Sequence, residues 1–209
     1  MKTHSYPAIR SLFFAPGNRP DLVAKFPRFG ADCCVIDLED GTPPDEKTKA
    51  RDMLPQTVAG VRAAGLKSLL FVRVNVPDSP HYLADIAAAF SCDVDGIVIP
   101  KLESPAQAFP ALHWINRLDA EQPRALPRRI VGGLESVKGT LNAVQICTAF
   151  SVPLTDSSPP TMRRGRARGC SASNLLIQCS AGKACAGLSS LGMTMPSTSQ
   201  EKAAAISAK

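Results

Sequence analysis

The stretch VIDLEDGTPPDEKTKAR, residues 35–51, decides the fold because an apolar run ends there in three carboxylates, Asp37, Glu39 and Asp40. The run that leads into them, CCVIDL at 33–38, is almost continuously apolar, which is typical of a strand buried on both faces. A Gly-Thr-Pro-Pro turn and a charged stretch with helical spacing follow. Carboxylates at the tip of a buried strand suggest a site, although Glu39 and Asp40 taken alone are also explained as acids at a helix N-terminus.

Four further runs before residue 136 have the same β-rich texture. They are SLFFA (11–15), SLLFVRV (68–74), GIVIP (96–100) and RIVGGLE (129–135). The longer stretches between them have helical spacing, with Pro, Ser or acids at their starts. Apolar strands that alternate with helices predict five βα units around a parallel sheet. Within the second helical stretch, Pro55 predicts a kink or a split.

The βα alternation stops near residue 150. Residues 151–209 are rich in Ser, Arg, Cys, Gly and Pro, and their best apolar run is NLLIQC, so the sequence shows no clear sixth strand. This composition is typical of a flexible tail. It is also what a shifted reading frame yields, and the sequence leaves both explanations open. We therefore predict two parts, the βα units at 1–150 and an atypical Arg/Ser/Cys-rich tail at 151–209.

The net charge of +6 belongs mostly to the last third of the chain, because all acids except Asp156 and Glu201 fall at or before Glu135. The run RRGRARG (163–169) could contact phosphates. However, no aromatic residue follows Phe150, so the tail has nothing on which bases could stack. We predict no nucleic-acid partner.

Cysteine usage and hydropathy predict a cytoplasmic protein. The seven cysteines include no CxxC pair, which argues against a metal-thiolate site. The opening residues MKTHSYPAIR lack the apolar segment of a secretion signal. No apolar run is long enough to span a bilayer. We expect reduced thiols and no membrane association.

Polar residues follow every predicted strand, at the sheet edge where parallel α/β folds bind ligands. They are Asn18 and Arg19, then Asp37, Glu39 and Asp40, then Arg73 and Asn75, then Lys101, then Glu135 and Ser136. Carboxylates suit a hard divalent cation, and arginine binds a carboxylate through two parallel hydrogen bonds. This edge therefore predicts Mg²⁺-assisted chemistry on an oxo acid.

Structural ion pairs are the alternative for each of these residues. Arg73 could pair with Asp37 or Glu39, and Glu135 could pair with Arg73. For Lys101, a salt bridge and a ligand contact are equally good explanations.

Five motifs in order over residues 8–148 carry a family resemblance. They are RSLFFAPGNRP, VIDLEDGTPPDEKTKAR, FVRVN, DGIVIPKLES and GGLESVKGTLNA. This series resembles the citrate lyase β-subunit-like proteins of the HpcH/HpaI aldolase superfamily, which also contains malyl-CoA and citramalyl-CoA lyases. The resemblance implies an α/β fold of the (β/α)8 TIM barrel family. Such barrels typically need about 250 residues, with about 200 near the minimum. Because only five βα units precede the irregular tail, we expect this barrel to be incomplete after the fifth βα unit.

The resemblance also implies an activity, a cofactor and residue roles. The activity is a Mg²⁺-dependent carbon–carbon lyase reaction on a hydroxyacyl-CoA thioester of the citryl-, malyl- or citramalyl-CoA type, in a homo-oligomer that binds acyl-CoA or an oxo acid. Arg73, Glu39 and Asp40 would be catalytic. Arg73, Glu135 and Lys101 would bind substrate. Glu135 would bind the metal.

A second metal ligand is expected from the sixth strand of the family. The family's spacing places it at Thr161 or Met162, and neither side chain can replace a carboxylate. The nearest acid is Asp156, and Pro153 argues against a central strand there. The alternatives are therefore an inactive barrel fragment or partner subunit that lacks this ligand, and a module that binds CoA or an oxo acid without turnover.

Overall fold

The computed structural model describes residues 9–124, 127–151, 175–179 and 184–185. Its strands are β1 (Leu12–Pro16), β2 (Cys33–Asp37), β3 (Leu69–Arg73), β4 (Gly96–Ile99), β5 (Arg129–Leu134), β6 (Leu175–Cys179) and β7 (Ala184–Cys185). Its α-helices are α1 (Pro20–Val23), α2 (Lys47–Ala63), α3 (Tyr82–Phe90), α4 (Phe109–Glu121), α5 (Val137–Leu141) and α6 (Ala143–Ser151). All five predicted strands are present, each within two residues of its predicted bounds.

The strands form one sheet in the order β1-β2-β3-β4-β5-β6-β7. The first six are parallel, and β7 is antiparallel to β6. The prediction of five βα units and a parallel sheet is confirmed. In the described part of the chain, β1 and β7 are the two ends of the sheet, so it does not close into a barrel.

A sixth strand occurs where the sequence showed no clear one. The most apolar run of the tail forms β6, which pairs with β5 from Ile130↔Leu175 to Leu134↔Cys179. An unpaired strand edge is a template for pairing, and β6 satisfies the free edge of β5. The antiparallel β7 departs from the all-parallel pattern of a (β/α)8 barrel. The rest of the predicted tail lies outside the described residues, so the boundary at residue 150 stays a prediction.

Both faces of the sheet are buried. Successive side chains of a strand point to opposite faces, and each set packs in its own apolar cluster. On β2, Cys34 and Ile36 pack with the helices that cover the outer face. Cys33 and Val35 point the other way, into a smaller inner cluster with Phe71 of β3. This double burial explains the nearly continuous apolar runs of the sequence.

Helix α2 is unbroken from Lys47 to Ala63, so the prediction that Pro55 splits this helix is wrong. Proline removes one hydrogen bond from the helix ladder. Here Pro55 lies on the exposed side, and the opposite side buries an apolar stripe that includes Leu54 and Val58. Packing of that stripe supplies most of the stability of the helix and holds it together across the proline.

The register of the sheet brings the polar strand ends together. Asp37 on β2 and Arg73 on β3 are direct cross-strand partners. The alternation of the strands places both on the inner face, above Val35 and Phe71. Among the described helices, none combines the length and the apolar character needed to cross a bilayer.

Candidate functional site

Arg73 is held by Asp37 through two parallel hydrogen bonds. Nε donates to Oδ1 at 2.7 Å, and Nη2 donates to Oδ2 at 2.5 Å. The guanidinium also lies over the ring of Phe14, 5.1 Å from its centroid. Burial lowers the pKa of Arg73, but the hydrogen bond and charge of Asp37 outweigh it, so the net pKa is raised. Arg73 is therefore a permanent cation with a fixed orientation.

Asp37 also organises the loop between β2 and α2. Its Oδ1 accepts from the backbone N–H of Glu39 at 2.9 Å, and its Oδ2 accepts from the N–H of Gly41 at 2.8 Å. The carbonyl of Asp37 accepts from Gly17 N at 2.7 Å and from Thr42 Oγ1 at 2.6 Å. Asp37 is 3% exposed. The oxygens of this buried residue thus all accept hydrogen bonds, as buried polar groups generally do.

Glu39 joins the two cations of the site. Its Oε1 accepts from Lys101 Nζ at 2.7 Å, and its Oε2 lies 3.3 Å from Nη1 of Arg73. Lys101 is the second residue after β4 and, in the described part of the chain, the only residue other than glycine with a positive φ, 48°. The hydrogen bond to Glu39 raises the pKa of Lys101. The ion pairs weighed as alternatives for Arg73 and Lys101 are therefore present.

Asp40 is the exposed acid of the cluster, and its carboxylate lies 3.4 Å from Lys101 Nζ. Partial burial raises the pKa of Asp40, but hydrogen bonding to Glu39 and the charge of Lys101 outweigh it, so the net pKa is lowered. Asp40 is consequently ionised at neutral pH and adds negative charge to the rim of the site.

Glu135 follows β5 and has a different environment. In the part of the chain that the structure describes, its exposed carboxylate makes no ion pair or hydrogen bond, so it is not paired with Arg73. The carboxylate lies over Gly133, where an added Cβ would be 2.4 Å from Oε1 of Glu135. The glycine therefore leaves the space that this carboxylate occupies.

Mg²⁺ is commonly held by one or two carboxylates, with water and substrate as the other ligands. Glu135 fits that requirement as a single unpaired carboxylate. Over the described ranges, no group of three or more His, Cys, Asp or Glu side chains could hold a metal ion. Asp156, the acid weighed as a second ligand, lies outside the described residues.

Sequence reasoning missed Asp85, which supports the site from α3. Its Oδ2 accepts from both the backbone N–H of Asn75, at 3.0 Å, and its Nδ2, at 2.6 Å. Its Oδ1 accepts from Arg51 at 3.0 Å, and Asn75 Nδ2 also donates to the carbonyl of Leu38. A signal was available, because Asp85 falls on the buried stripe of an otherwise apolar helix. A buried acid needs such partners.

Residues 10–154 match the family model described as HpcH/HpaI aldolase/citrate lyase. The chain is 39% identical over 140 residues to a citrate lyase subunit beta-like protein of Deinococcus radiodurans, covering 66% of this chain and 47% of that protein. It is 35% identical over 145 residues to citrate lyase subunit beta of Leuconostoc mesenteroides, covering 67% and 46%. It is 27% identical over 143 residues to an L-malyl-CoA/beta-methylmalyl-CoA lyase of Cereibacter sphaeroides, covering 67% and 44%.

Two crystal structures of the protein CitE from Mycobacterium tuberculosis share the fold with a TM-score of 0.50. The complex with magnesium and acetoacetate is 25% identical, covering 68% of this chain and 53% of that one. The complex with magnesium and pyruvate is 26% identical, covering 68% and 52%.

The chain spans about half the length of the curated relatives it matches. The predicted class, an α/β fold of the TIM barrel family that is incomplete after the fifth βα unit, is confirmed. The matched segment contains the five motifs and the strand ends that form the site. The chain belongs to the HpcH/HpaI aldolase/citrate lyase family.

Proposed function

We propose that the chain is a Mg²⁺-dependent carbon–carbon lyase that acts on a hydroxyacyl-CoA thioester of the citryl-, malyl- or citramalyl-CoA type. One observation carries the proposal: Arg73 is fixed by Asp37 at the same sheet edge that presents the unpaired carboxylate of Glu135. The names of the relatives, citrate lyase and malyl-CoA lyase, support the reaction class.

Arg73 would anchor the carboxylate of the substrate. A guanidinium has five N–H donors. Asp37 accepts from Nε and Nη2, and Nη1 lies 3.3 Å from Oε2 of Glu39, so one N–H on Nη1 and one on Nη2 remain for a ligand. Because the guanidinium is already oriented, little side-chain entropy is lost when it binds an anion.

Lys101 would place positive charge beside the oxygen that becomes negative as the carbon–carbon bond breaks. Its side chain is 45% exposed, and its contacts with Glu39 and Asp40 leave one of the three ammonium donors for a ligand. Fixed donors aimed at developing charge lower the barrier of such reactions. Glu39 would hold Lys101 and Arg73 in place, and Asp40 would set the charge at the rim.

Glu135 would hold Mg²⁺ at the end of β5. When bound there, the ion would polarise the oxygens of the oxo-acid group. The space above Gly133 keeps the Glu135 carboxylate available for that role.

A second candidate is a module or partner subunit that binds an oxo acid or acyl-CoA without turnover. The observation that favours it is the length of the match, about half of each curated relative. A homo-oligomer also stays a prediction, which the mass measured by light scattering during size-exclusion chromatography would test.

Calorimetric titration of the purified chain with pyruvate or oxaloacetate tests the proposal, with and without Mg²⁺. We expect binding that requires Mg²⁺ and that is lost in Glu135→Ala and weakened in Arg73→Lys, since lysine cannot form the paired hydrogen bonds. Glu121→Ala, an exposed acid on α4, is the control for removal of one negative charge.

The release of acetyl-CoA from citryl-, malyl- or citramalyl-CoA then separates the two candidates. Cleavage that Glu135→Ala abolishes supports the lyase. Ligand binding with no product from any of these thioesters supports the binding module. Absence of binding in a chain whose near-UV circular dichroism shows a packed core would contradict both.

A further inference from the structure

We propose that Asp37 is a positioning residue that sets the guanidinium of Arg73 for a carboxylate ligand, and that Gly41 is glycine because this arrangement leaves no room for a Cβ. The identity of the ligand rests on the proposed function. The positioning itself rests on contacts among the described residues.

The pairing of Asp37 with Arg73 is set by the sheet. The two residues are cross-strand partners of parallel strands, so their side chains leave the same face side by side. Both carboxylate oxygens accept from the guanidinium, which fixes its plane as well as its position. The ring of Phe14 lies against the guanidinium and limits rotation out of that plane.

Asp37 acts through Arg73 and not on a ligand. Its side chain is 4% exposed, whereas that of Arg73 is 17% exposed. Each of its oxygens accepts one hydrogen bond from Arg73 and one from a loop amide, of Glu39 or Gly41. The buried carboxylate therefore couples the conformation of the β2–α2 loop to the orientation of the guanidinium.

Gly41 provides a way to disturb this coupling without changing any charge. A Cβ at Gly41 would lie 2.4 Å from Oδ2 of Asp37 and 3.1 Å from its Cγ. Its φ is outside the left-handed region, so alanine is compatible with the backbone itself. Gly41→Ala should therefore push the carboxylate of Asp37 away while leaving Asp37 and Arg73 in the sequence.

Asp37→Asn removes the same contacts by chemistry. An amide keeps the volume of the side chain, but its Nδ2 is a donor. At the position of Oδ2 it would face two other donors, Arg73 Nη2 and the amide of Gly41. Gly30→Ala is the matched control, since nothing lies within 4 Å of a Cβ at Gly30 and its φ is not positive.

The first measurement reports on Arg73 directly. In ¹H–¹⁵N spectra of arginine side chains, the Arg73 Nε–H signal is identified by its absence in Arg73→Lys. We expect it to be protected from exchange with water in the wild type and in Gly30→Ala, and to be lost or strongly shifted in Asp37→Asn and Gly41→Ala. An unchanged signal in both of these variants would overturn the proposal.

The second measurement is the affinity for pyruvate in the presence of Mg²⁺. We expect Asp37→Asn and Gly41→Ala to bind about 10- to 100-fold more weakly, by analogy with the loss found when the hydrogen-bond partner that orients a metal ligand is removed. Unchanged affinity in both variants also overturns the proposal. If Gly41→Ala does not fold, Asp37→Asn decides both measurements.

The two failures can be distinguished. If the wild type binds no oxo acid while the Arg73 signal responds to both variants as expected, the proposed function fails and the positioning by Asp37 stands.

Discussion

The N-terminal and the C-terminal ends of the strands each carry a cluster of basic and acidic side chains, and the two clusters differ in how completely their charges are paired. At the N-terminal ends of the strands, Asp95 accepts from the backbone N–H of Leu70 at 2.9 Å, from Arg62 at 2.8 Å and from Arg124 at 2.9 Å. Asp93 lies within 3.4 Å of the same two arginines. Two acids and two bases thus neutralise each other.

At the C-terminal ends, three acids surround two bases. Asp37, Glu39 and Asp40 contact Arg73 and Lys101. N–H donors of both cations remain available. Glu135 adds a further carboxylate at the end of β5, the strand next to β4. The comparison shows that residue type alone does not distinguish the structural cluster from the proposed binding site. What separates them is a surplus of charge and of hydrogen-bonding groups that the protein itself does not satisfy.

If the contacts at the N-terminal ends of the strands serve stability, a substitution that overpacks this region should lower the free energy of unfolding the most. A Cβ at Gly96 on β4 would lie 2.0 Å from the carbonyl oxygen of Arg129 and 2.5 Å from the ring of Phe71. We expect Gly96→Ala to lower the free energy of unfolding by about 3 kcal/mol, since an overpacked strand must shift its backbone. Urea unfolding measures it, with Gly60→Ala as a control at an open position. Equal stability of both variants would contradict the expectation.

Asp95→Ala should have the next largest effect. It leaves the amide of Leu70 without its acceptor and removes one of the two acids that Arg62 and Arg124 share. We expect a loss of about 2 kcal/mol in the free energy of unfolding. The affinity for pyruvate should stay unchanged. A variant that kept its stability but lost pyruvate binding would reverse the assignment of the two ends.

Lys101→Met should show the opposite behaviour. The lost ion pair with Glu39 involves a half-exposed lysine, so we expect the free energy of unfolding to change by less than about 1 kcal/mol. Binding of pyruvate with Mg²⁺, measured by calorimetry, should weaken because a cation of the site is gone. Tight binding by this variant would exclude Lys101 from the site.

Asp32, which precedes β2, should make the free energy of unfolding depend on pH. Hydrogen bonds from the side chain and backbone of Arg10 hold the pKa of this carboxyl well below its ordinary value. A lowered folded-state pKa stabilises the fold above the unfolded pKa of about 3.9, and the effect is lost as the pH falls through the folded pKa. Stability should therefore decline below pH about 4, and Asp32→Asn should flatten that decline in urea unfolding at several pH values. An unchanged slope would contradict this.

Glu121→Gln should have the smallest effect. Both side chains of its ion pair with Arg117 on α4 are exposed, and the pair belongs to neither cluster. We expect a change below about 0.5 kcal/mol in the free energy of unfolding and none in ligand affinity. A larger change would show that pairing outside both clusters also matters.

The strands were predictable because both of their faces are buried, so runs such as CCVIDL stand out without any knowledge of their neighbours. The strand-end positions of Arg73 and Glu135 followed from the rule that parallel strands share an edge. The pairing of Asp37 with Arg73 depends on register, which the sequence left open between Asp37 and Glu39.

Other features depend on contacts that are distant in sequence. Asp85 acquires its role only because α3 packs where the amide of Asn75 needs an acceptor. β6 forms because β5 offers a free edge, a property of the assembled sheet. Pro55 remains inside a helix because the packing of the opposite side outweighs one missing hydrogen bond.

The left-handed backbone of Lys101 has a consequence for laboratory evolution. A residue other than glycine pays about 1 kcal/mol or more for this conformation. A library selected only for thermal resistance would therefore favour replacements at Lys101 that relax the backbone and discard the ammonium group. A library selected for ligand capture would keep lysine and its conformational cost. The two libraries should therefore differ at this position. Sequencing the selected variants would show whether lysine is kept at position 101 only when ligand binding is selected.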